Sequence, residues 1–211
     1  MTLALAYSRA RTGVYAPEVR VEIYLAGGLP RFNIVGLPEA AVRESRDRVR
    51  AAIQCSHLEF PNRIITANLA PADLPKDGGR FDLAIALGIL AANGEVSAEA
   101  LSKYECLGEL ALTGELREVD GVLPAALAAA KAGRALIVPI ANGDEVALAS
   151  DVEAYLARSL LEVVAHINGV RTLPLAMPKI VTDEPMHYLD LADVRGQLQD
   201  RKSTRLNSSH Q

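Results

Sequence analysis

Between Asn68 and Leu90 the chain reads NLAPADLPKDGGRFDLAIALGIL, and this stretch gathers carboxylates, cations and a glycine pair at one turn. Asp73, Asp77 and Asp82 have the makings of a carboxylate cluster, but each is equally at home capping a turn or placing negative charge at a helix N-terminus. Gly78-Gly79 lets backbone N–H groups converge on a helix start, where an anion can be held. The plainer reading is a strand-to-helix turn. A phosphate loop of the GxxxxGK[ST] type is absent, as is GxGxxG, so no nucleotide site is expected. Nucleophilic catalysis needs Ser, Cys or Thr beside a base. No serine occurs in this stretch, and Cys55 and Cys106 are better read as small packed residues. His57, His166, His187 and His210 are scattered without metal-ligand spacing, so no metal site is expected. A second group is electrostatic. Arg43, Arg46 and Arg50 fall on successive turns of one predicted helix. They read either as a solvated, self-paired face or as a row that touches a phosphate backbone or a neighbouring subunit.

These residues need elements to hold them. Leu3–Ser8 and Val19–Leu25 are β-like, and Val19, Val21, Ile23 and Leu25 alternate with Arg20, Glu22 and Tyr24, which predicts a hairpin with one polar face. Phe32–Val35 is a third short strand. A helix over 38–56 carries Val42, Val49, Ala52 and Ile53 on its buried side and pairs Glu39/Arg43 and Glu44/Arg48 at i,i+4 on the other. Ile64–Leu69 is a strand leading into the turn, and an Ala/Leu/Ile-rich helix runs from Phe81 to a stop at Asn93-Gly94. Ser97 caps a short helix over 98–103. Tyr104–Leu112 reads as one strand with a return at Glu115–Val119. Helices over 121–132, 143–150 and 159–168 alternate with short strands at Ala135–Val138 and Ala154–Leu156. Strands and helices alternating after an initial β meander predict an α+β, mixed α/β fold.

The 211 residues are half apolar and 23% charged, enough to bury a substantial core, with a net charge of −4 that does not suggest nucleic-acid binding by the whole surface. No apolar run approaches the ~18 residues of a membrane span. With no signal peptide visible at the start, the two cysteines are expected as reduced thiols in a cytoplasmic protein.

Several segments together carry a resemblance: FNIVGLP at 32–38, ESRDRVRAAI at 44–53, ANLAPADLPKDGGRFDLAIAL at 67–87, LGELAL at 107–112 and GVLPA at 121–125. In this order they resemble the N-terminal region of the ComM/YifB family, bacterial Mg-chelatase-related AAA+ proteins. The resemblance implies a Lon-protease-like fold of the ribosomal protein S5 domain 2 type over residues 1–173. In the family an ATPase module of a ring-forming motor follows, with a part in DNA branch migration during natural transformation. The related Lon proteases use a Ser–Lys dyad. The serine follows a turn that resembles Pro75-Lys76-Asp77-Gly78, and the residue falling at its position is Arg80. The lysine's position resembles Leu123. A guanidinium is no nucleophile and a leucine takes no proton, so no catalysis of this kind is implied.

From Thr172 the character changes. Residues 174–189 read as an exposed linker, and 190–200 resemble the opening of the AAA+ module. Residues 201–211 resemble nothing in that module and are expected to be a disordered, non-native tail. The resemblance therefore implies an accessory domain truncated before its motor, needing no cofactor of its own, with ATP and Mg expected only in the missing module. Self-association into a ring, a hexamer, is expected of the full-length parent. DNA or subunit contact is expected at Arg43, Arg46, Arg50 and Arg80. A residual hydrolase with a nonstandard nucleophile and a purely structural ring scaffold remain as alternatives.

Overall fold

In the computed structural model, which describes residues 2–36, 39–76, 78–149 and 152–177 with the side chains of 39–43 left aside, β1 (Thr2–Arg9) and β2 (Glu18–Ala26) pair antiparallel. The alternation in β2 has its expected result: Val19, Val21, Ile23 and Leu25 are fully buried, while Arg20 and Tyr24 face water. β3 (Arg31–Val35) is followed by α1 (Glu39–Cys55) and then β4 (Ile64–Ala70), which runs parallel to β3, so α1 is the crossover of a β-α-β unit. Next come α2 (Asp82–Asn93), α3 (Ala98–Leu101) capped by Ser97, and β5 (Tyr104–Cys106). A small two-stranded sheet of β6 (Glu109–Leu110) and β7 (Leu116–Arg117) leads to α4 (Val122–Lys131). Then β8 (Ala135–Pro139), α5 (Gly143–Val146), β9 (Ala154–Ala157) and α6 (Leu160–Ile167) follow. The main sheet has seven strands in the order β3-β4-β2-β1-β5-β8-β9. β2 is antiparallel to both of its neighbours, β1 and β4, and the remaining neighbours are parallel. The mixed α/β expectation holds, with a sheet that is mostly parallel.

One predicted strand divides. Tyr104–Leu112 splits into β5 and β6 because the chain leaves the main sheet at Gly108. The Gly108 N–H donates to the carbonyl of Arg80, and its own carbonyl accepts from Leu83 N–H. A Cβ at Gly108 would stand 2.9 Å from the Leu116 side chain, so a larger residue would obstruct this crossing.

The two halves of the sheet bury their surfaces differently. In the antiparallel half one face packs on α2 and the other is solvated through Arg20 and Tyr24. In the parallel half β8 contributes Ile137 to the main core and Leu136 and Val138 to a second apolar cluster with Val122, Ala125 and Ala129 of α4, so both faces are covered. α2 is apolar on every side and lies at the centre. Its Leu83, Ile85, Leu87, Ile89 and Leu90 are fully buried, each contributing about 1.5–3 kcal/mol relative to exposure. Gly88 is where α2 comes nearest the sheet, since a Cβ there would lie 2.6 Å from Ile23 Cγ1.

The two halves meet at β1 and β5 through a single register pair, Tyr7↔Glu105. Glu105 is fully buried and accepts two hydrogen bonds from Arg9, Nε at 2.5 Å and Nη2 at 2.6 Å, and one from Arg134 Nε at 3.0 Å. Arg134 also binds Glu18 of β2 and lies 4.1 Å over the Tyr7 ring. Arg9 reaches the carbonyls of Ala16 at 3.1 Å and Ala128 at 3.3 Å. Side-chain charge thus supplements a joint that has few backbone bonds.

At the far edge, residues expected in a linker add to the sheet. Pro174 C=O accepts from Leu156 N–H at 2.9 Å and Ala176 N–H donates to Ala154 C=O at 2.8 Å, so 174–176 form a strap along β9. The strap is preceded by Leu173, whose N–H donates to His166 Nδ1 at 3.1 Å. Most of the expected linker, the expected AAA+ opening over 190–200 and the expected tail over 201–211 lie outside the described residues.

Replacing Glu105 by Ala strands two guanidinium groups and is expected to cost about 3–5 kcal/mol of stability, whereas Arg11→Ala, at an exposed pair with Asp120, leaves the denaturant midpoint nearly unchanged. Equal effects of the two substitutions in urea unfolding would refute the joint's importance. A second expectation concerns acid. Burial holds the His166 imidazole below its ordinary value despite Glu153 nearby, with the Tyr104 and Tyr155 rings packed against it. A depressed folded value means that the unfolded chain takes up the proton first, so this stability is present above about pH 6.5 and lost as pH falls through the folded value. Protonated Nδ1 has no lone pair for Leu173 N–H. The protection of the Leu173 and Ala176 amides relative to their intrinsic exchange rates should therefore fall on acidification in this chain and not in His166→Asn.

Candidate functional site

The turn between β4 and α2 is built around a buried lysine. Lys76 Nζ donates to the carbonyl oxygens of Pro71 and, at 3.4 Å, Leu74, and burial pushes its ammonium below the ordinary lysine value. It satisfies carbonyls of a loop that has no strand partner. Asp73 is exposed, and Asp77 lies outside the described residues.

Asp82, expected as a helix N-terminal charge, does more than that. It is buried in the first turn of α2 and accepts from Ser45 Oγ at 2.7 Å and Arg48 Nε at 2.6 Å, with Leu110 N–H at 3.4 Å. One carboxylate therefore ties α1, α2 and β6 together. Burial raises the Asp82 carboxyl above the ordinary carboxylate range against the pull of Arg48 and Ser45, whereas Arg48 is itself raised. The opposite balance follows from unequal burial: Arg48 keeps part of its hydration and Asp82 keeps none. Arg48, expected on the solvated face of α1, is turned inward by this pair, although it also meets Glu44 at 3.5 Å as the i,i+4 spacing predicts.

Arg80 precedes α2 and is only 6% exposed. Its Nη1 donates to the Asp120 carbonyl at 3.2 Å, while Nε and Nη2 are buried without a hydrogen-bond partner among the described residues. Burial and the neighbouring Arg11 push the guanidinium below its ordinary value, with Asp120 and Glu145 opposing. It stays charged at any physiological pH. Arg80 lines a cavity of about 320 Å³ together with Arg11, Gly79, Glu109, Glu118 and Asp120. Arg11 Nη1 reaches Asp120 Oδ2 at 3.2 Å. Leu123, in the first turn of α4, is half-buried against the second apolar cluster, and its N–H donates to Glu145 at 2.9 Å.

The arginine row is elsewhere. Arg46 and Arg50 of α1 line a shallow surface hollow with Arg31, Phe32, Asn33 and Asp47, and Arg80 is not part of it. The Arg50 guanidinium sits 4.9 Å over the Phe60 ring, which itself packs on Phe32 at 5.8 Å. Arg46 pairs loosely with Asp47 at 3.7 Å. The side chain of Arg43 lies outside the described residues. The structure therefore brings Arg46 and Arg50 together, separates Arg80 from them, and adds Arg31. Arg31 was invisible to helical spacing because it comes from β3. The exposed-buried alternation of Arg31–Val35 was the available signal.

Among the described residues, no helix is long and apolar enough to cross a membrane. In comparisons with known proteins, residues 21–142 match the family model described as subunit ChlI of Mg-chelatase. The chain is 48% identical to the competence protein ComM of Haemophilus influenzae, an alignment covering all of this chain and 42% of that protein. It is 46% identical to YifB of Salmonella typhimurium and 44% identical to YifB of Escherichia coli, each covering 99% of this chain and 41% of the relative. The chain thus spans about two fifths of the length of these relatives. Since the family model matches more than half of its residues, the chain belongs to the family of subunit ChlI of Mg-chelatase.

Proposed function

We propose that this chain is a non-catalytic accessory domain of a ComM-type, Mg-chelatase-related AAA+ ATPase, with the Lon-like, S5 domain 2-type fold, working in the bacterial cytoplasm. The parent would use ATP and Mg in its motor module and act in DNA branch migration during competence. The reading is supported by the 48% identity to a competence protein over the whole of this chain. Its catalytic silence is supported by Arg80 and Leu123 at the positions that resemble the Lon dyad, one an unreactive cation and the other packed hydrocarbon.

The single observation that carries a DNA role for this domain is the hollow in which Arg31, Arg46 and Arg50 converge. Three guanidinium groups from two elements face one surface, and the Phe60 ring holds one of them in place. Phosphate is the anion that such an array fits without reading sequence. The acidic whole-chain balance confines the attraction to this face. In a filter or polarisation assay, this chain should bind duplex DNA with a steep loss of affinity on adding salt. The Arg31→Ala/Arg46→Ala/Arg50→Ala variant should weaken binding and flatten the log–log salt slope by about 0.9 per phosphate contact removed. No binding by the unsubstituted chain, or an unchanged slope, rejects the DNA role.

A second reading, contact between two copies of the subunit, is favoured by β3, an edge strand whose Arg31, Asn33 and Val35 are exposed. Unpaired strand edges are templates for association. Sizing by light scattering should show concentration-dependent association that Val35→Lys reduces; a strict monomer at every concentration eliminates it.

A further inference from the structure

We propose that the open edge of β3 is a docking site for an extended acidic peptide, which adds to the main sheet as a further strand with its carboxylates among the arginines of the hollow. The proposal shares this hollow with the DNA reading but does not depend on it, because it rests on backbone groups that DNA has no means to pair. The lining of the hollow identifies it with the strand edge itself. Phe32 and Ile34 share a core cluster with Val49 and Ile53 of α1, so α1 lies on the core side of β3, while Arg31 and Asn33 point to the opposite, solvated side. Arg46 and Arg50 of α1 nevertheless line one hollow with Arg31 and Asn33. Groups from the two faces of a strand meet in this way only around its free edge.

The backbone along that edge follows from the register. Arg31 N–H donates to the Arg63 carbonyl at 3.3 Å, so Arg31, Asn33 and Val35 turn their peptide groups toward β4. By alternation the N–H and C=O of Phe32 and Ile34 turn outward, and among the described residues no strand pairs with them. Donors and acceptors alternating along an edge are met by an extended polypeptide, which carries both. A phosphodiester backbone has acceptors only.

Charge then selects the peptide. Three guanidinium groups stand against the single carboxylate of Asp47, which leaves the groove positive. A neutral strand laid along the edge would take water from Arg46 and Arg50 and give nothing in return, which is how charged side chains keep an open edge from pairing indiscriminately. A strand with carboxylates at alternate positions removes that penalty. Its side chains opposite Phe32 and Ile34 project toward α1, where Arg46 and Arg50 stand on successive turns. Arg50 is steadied by the Phe60 ring, and Arg46 meets Asp47 only at 3.7 Å, so both guanidinium groups keep donors to give. The intervening side chains fall on the solvated face beside the exposed Val35, which suits an apolar residue. The β3 strand of a second copy brings another Arg31 and no carboxylate, so it is the weaker occupant.

The probe is a synthetic peptide of alternating Glu and Val, about seven residues long so as to span β3. Amide exchange of the whole chain should show the Phe32 and Ile34 N–H groups becoming protected as this peptide is added. The neutral peptide of alternating Gln and Val should bind at least about three-fold more weakly, and Arg46→Ala/Arg50→Ala should erase that preference, with the urea midpoint as the check on folding. A Glu–Val peptide methylated on its backbone nitrogens keeps its charge but has no N–H to donate, and it should protect neither amide. Phe32 and Ile34 left unprotected at saturating peptide, equal binding of the Gln–Val peptide, or equal binding of the methylated one overturns the proposal. Protection that rises with protein concentration and ignores peptide assigns the edge to a second copy and overturns it as well. Duplex DNA separates this proposal from the DNA reading. Peptide binding in a chain that binds no DNA supports the proposal and rejects the DNA role, whereas DNA binding without peptide protection at β3 does the reverse. Where both bind, DNA should displace the peptide, and simultaneous occupancy overturns the shared hollow.

Discussion

The β1–β5 junction is the constraint on which the rest of this molecule rests. An antiparallel unit and a parallel unit are separately easy to build, but here they share one sheet across a single register pair. Glu105 lies at that pair, with Arg9 from the first unit and Arg134 leading into the second. A buried carboxylate between two guanidinium groups is an expensive device, since hydration is given up on all sides. What it supplies is direction: an apolar contact would allow β5 to slide along β1, whereas these bidentate contacts are satisfied at one register only. The cation over the Tyr7 ring and the Glu18 contact extend the same network into β2.

From that junction the chain runs straight to the turn before α2. β5 leads through Leu107 to Gly108, which hydrogen-bonds both Arg80 and Leu83, and β6 then delivers Leu110 N–H to Asp82. The conformation around Arg80 is thus determined from the parallel half of the sheet, while α1 reaches the same helix start through Ser45 and Arg48. Lys76 secures the loop from within. The helix N-terminus is held by side chains from three directions, yet Nε and Nη2 of Arg80 have no hydrogen-bond partner among the described residues.

Much of this was legible in the chain of residues. Period-two alternation located β2, the Gly94 stop and the Ser97 cap bounded their helices, and Gly121 and Gly133 bracketed α4. Such signals are local, and local chemistry carries them. What was not legible depends on partners distant in sequence. Arg48 looked like one more charge on a solvated face, because nothing nearby reveals that Asp82, 34 residues on, will be its partner. Tyr104–Leu112 looked continuous because the reason for its break is a hydrogen bond to Arg80. The arginine row was seen along α1 but its third visible member, Arg31, belongs to a neighbouring strand.

The strap of 174–176 changes what the sheet can do at its two ends. One edge is closed by three residues, one of them a proline with no N–H to offer, while among the described residues β3 keeps its outer edge open. A sheet with a single open edge cannot add copies head to tail. Pairing through β3 would join two copies of the main sheet about a two-fold axis and then stop, because among the described residues its opposite edge is taken by the strap in each copy. Among the described residues, the main sheet then offers no second edge through which strand pairing could run on into a fibre.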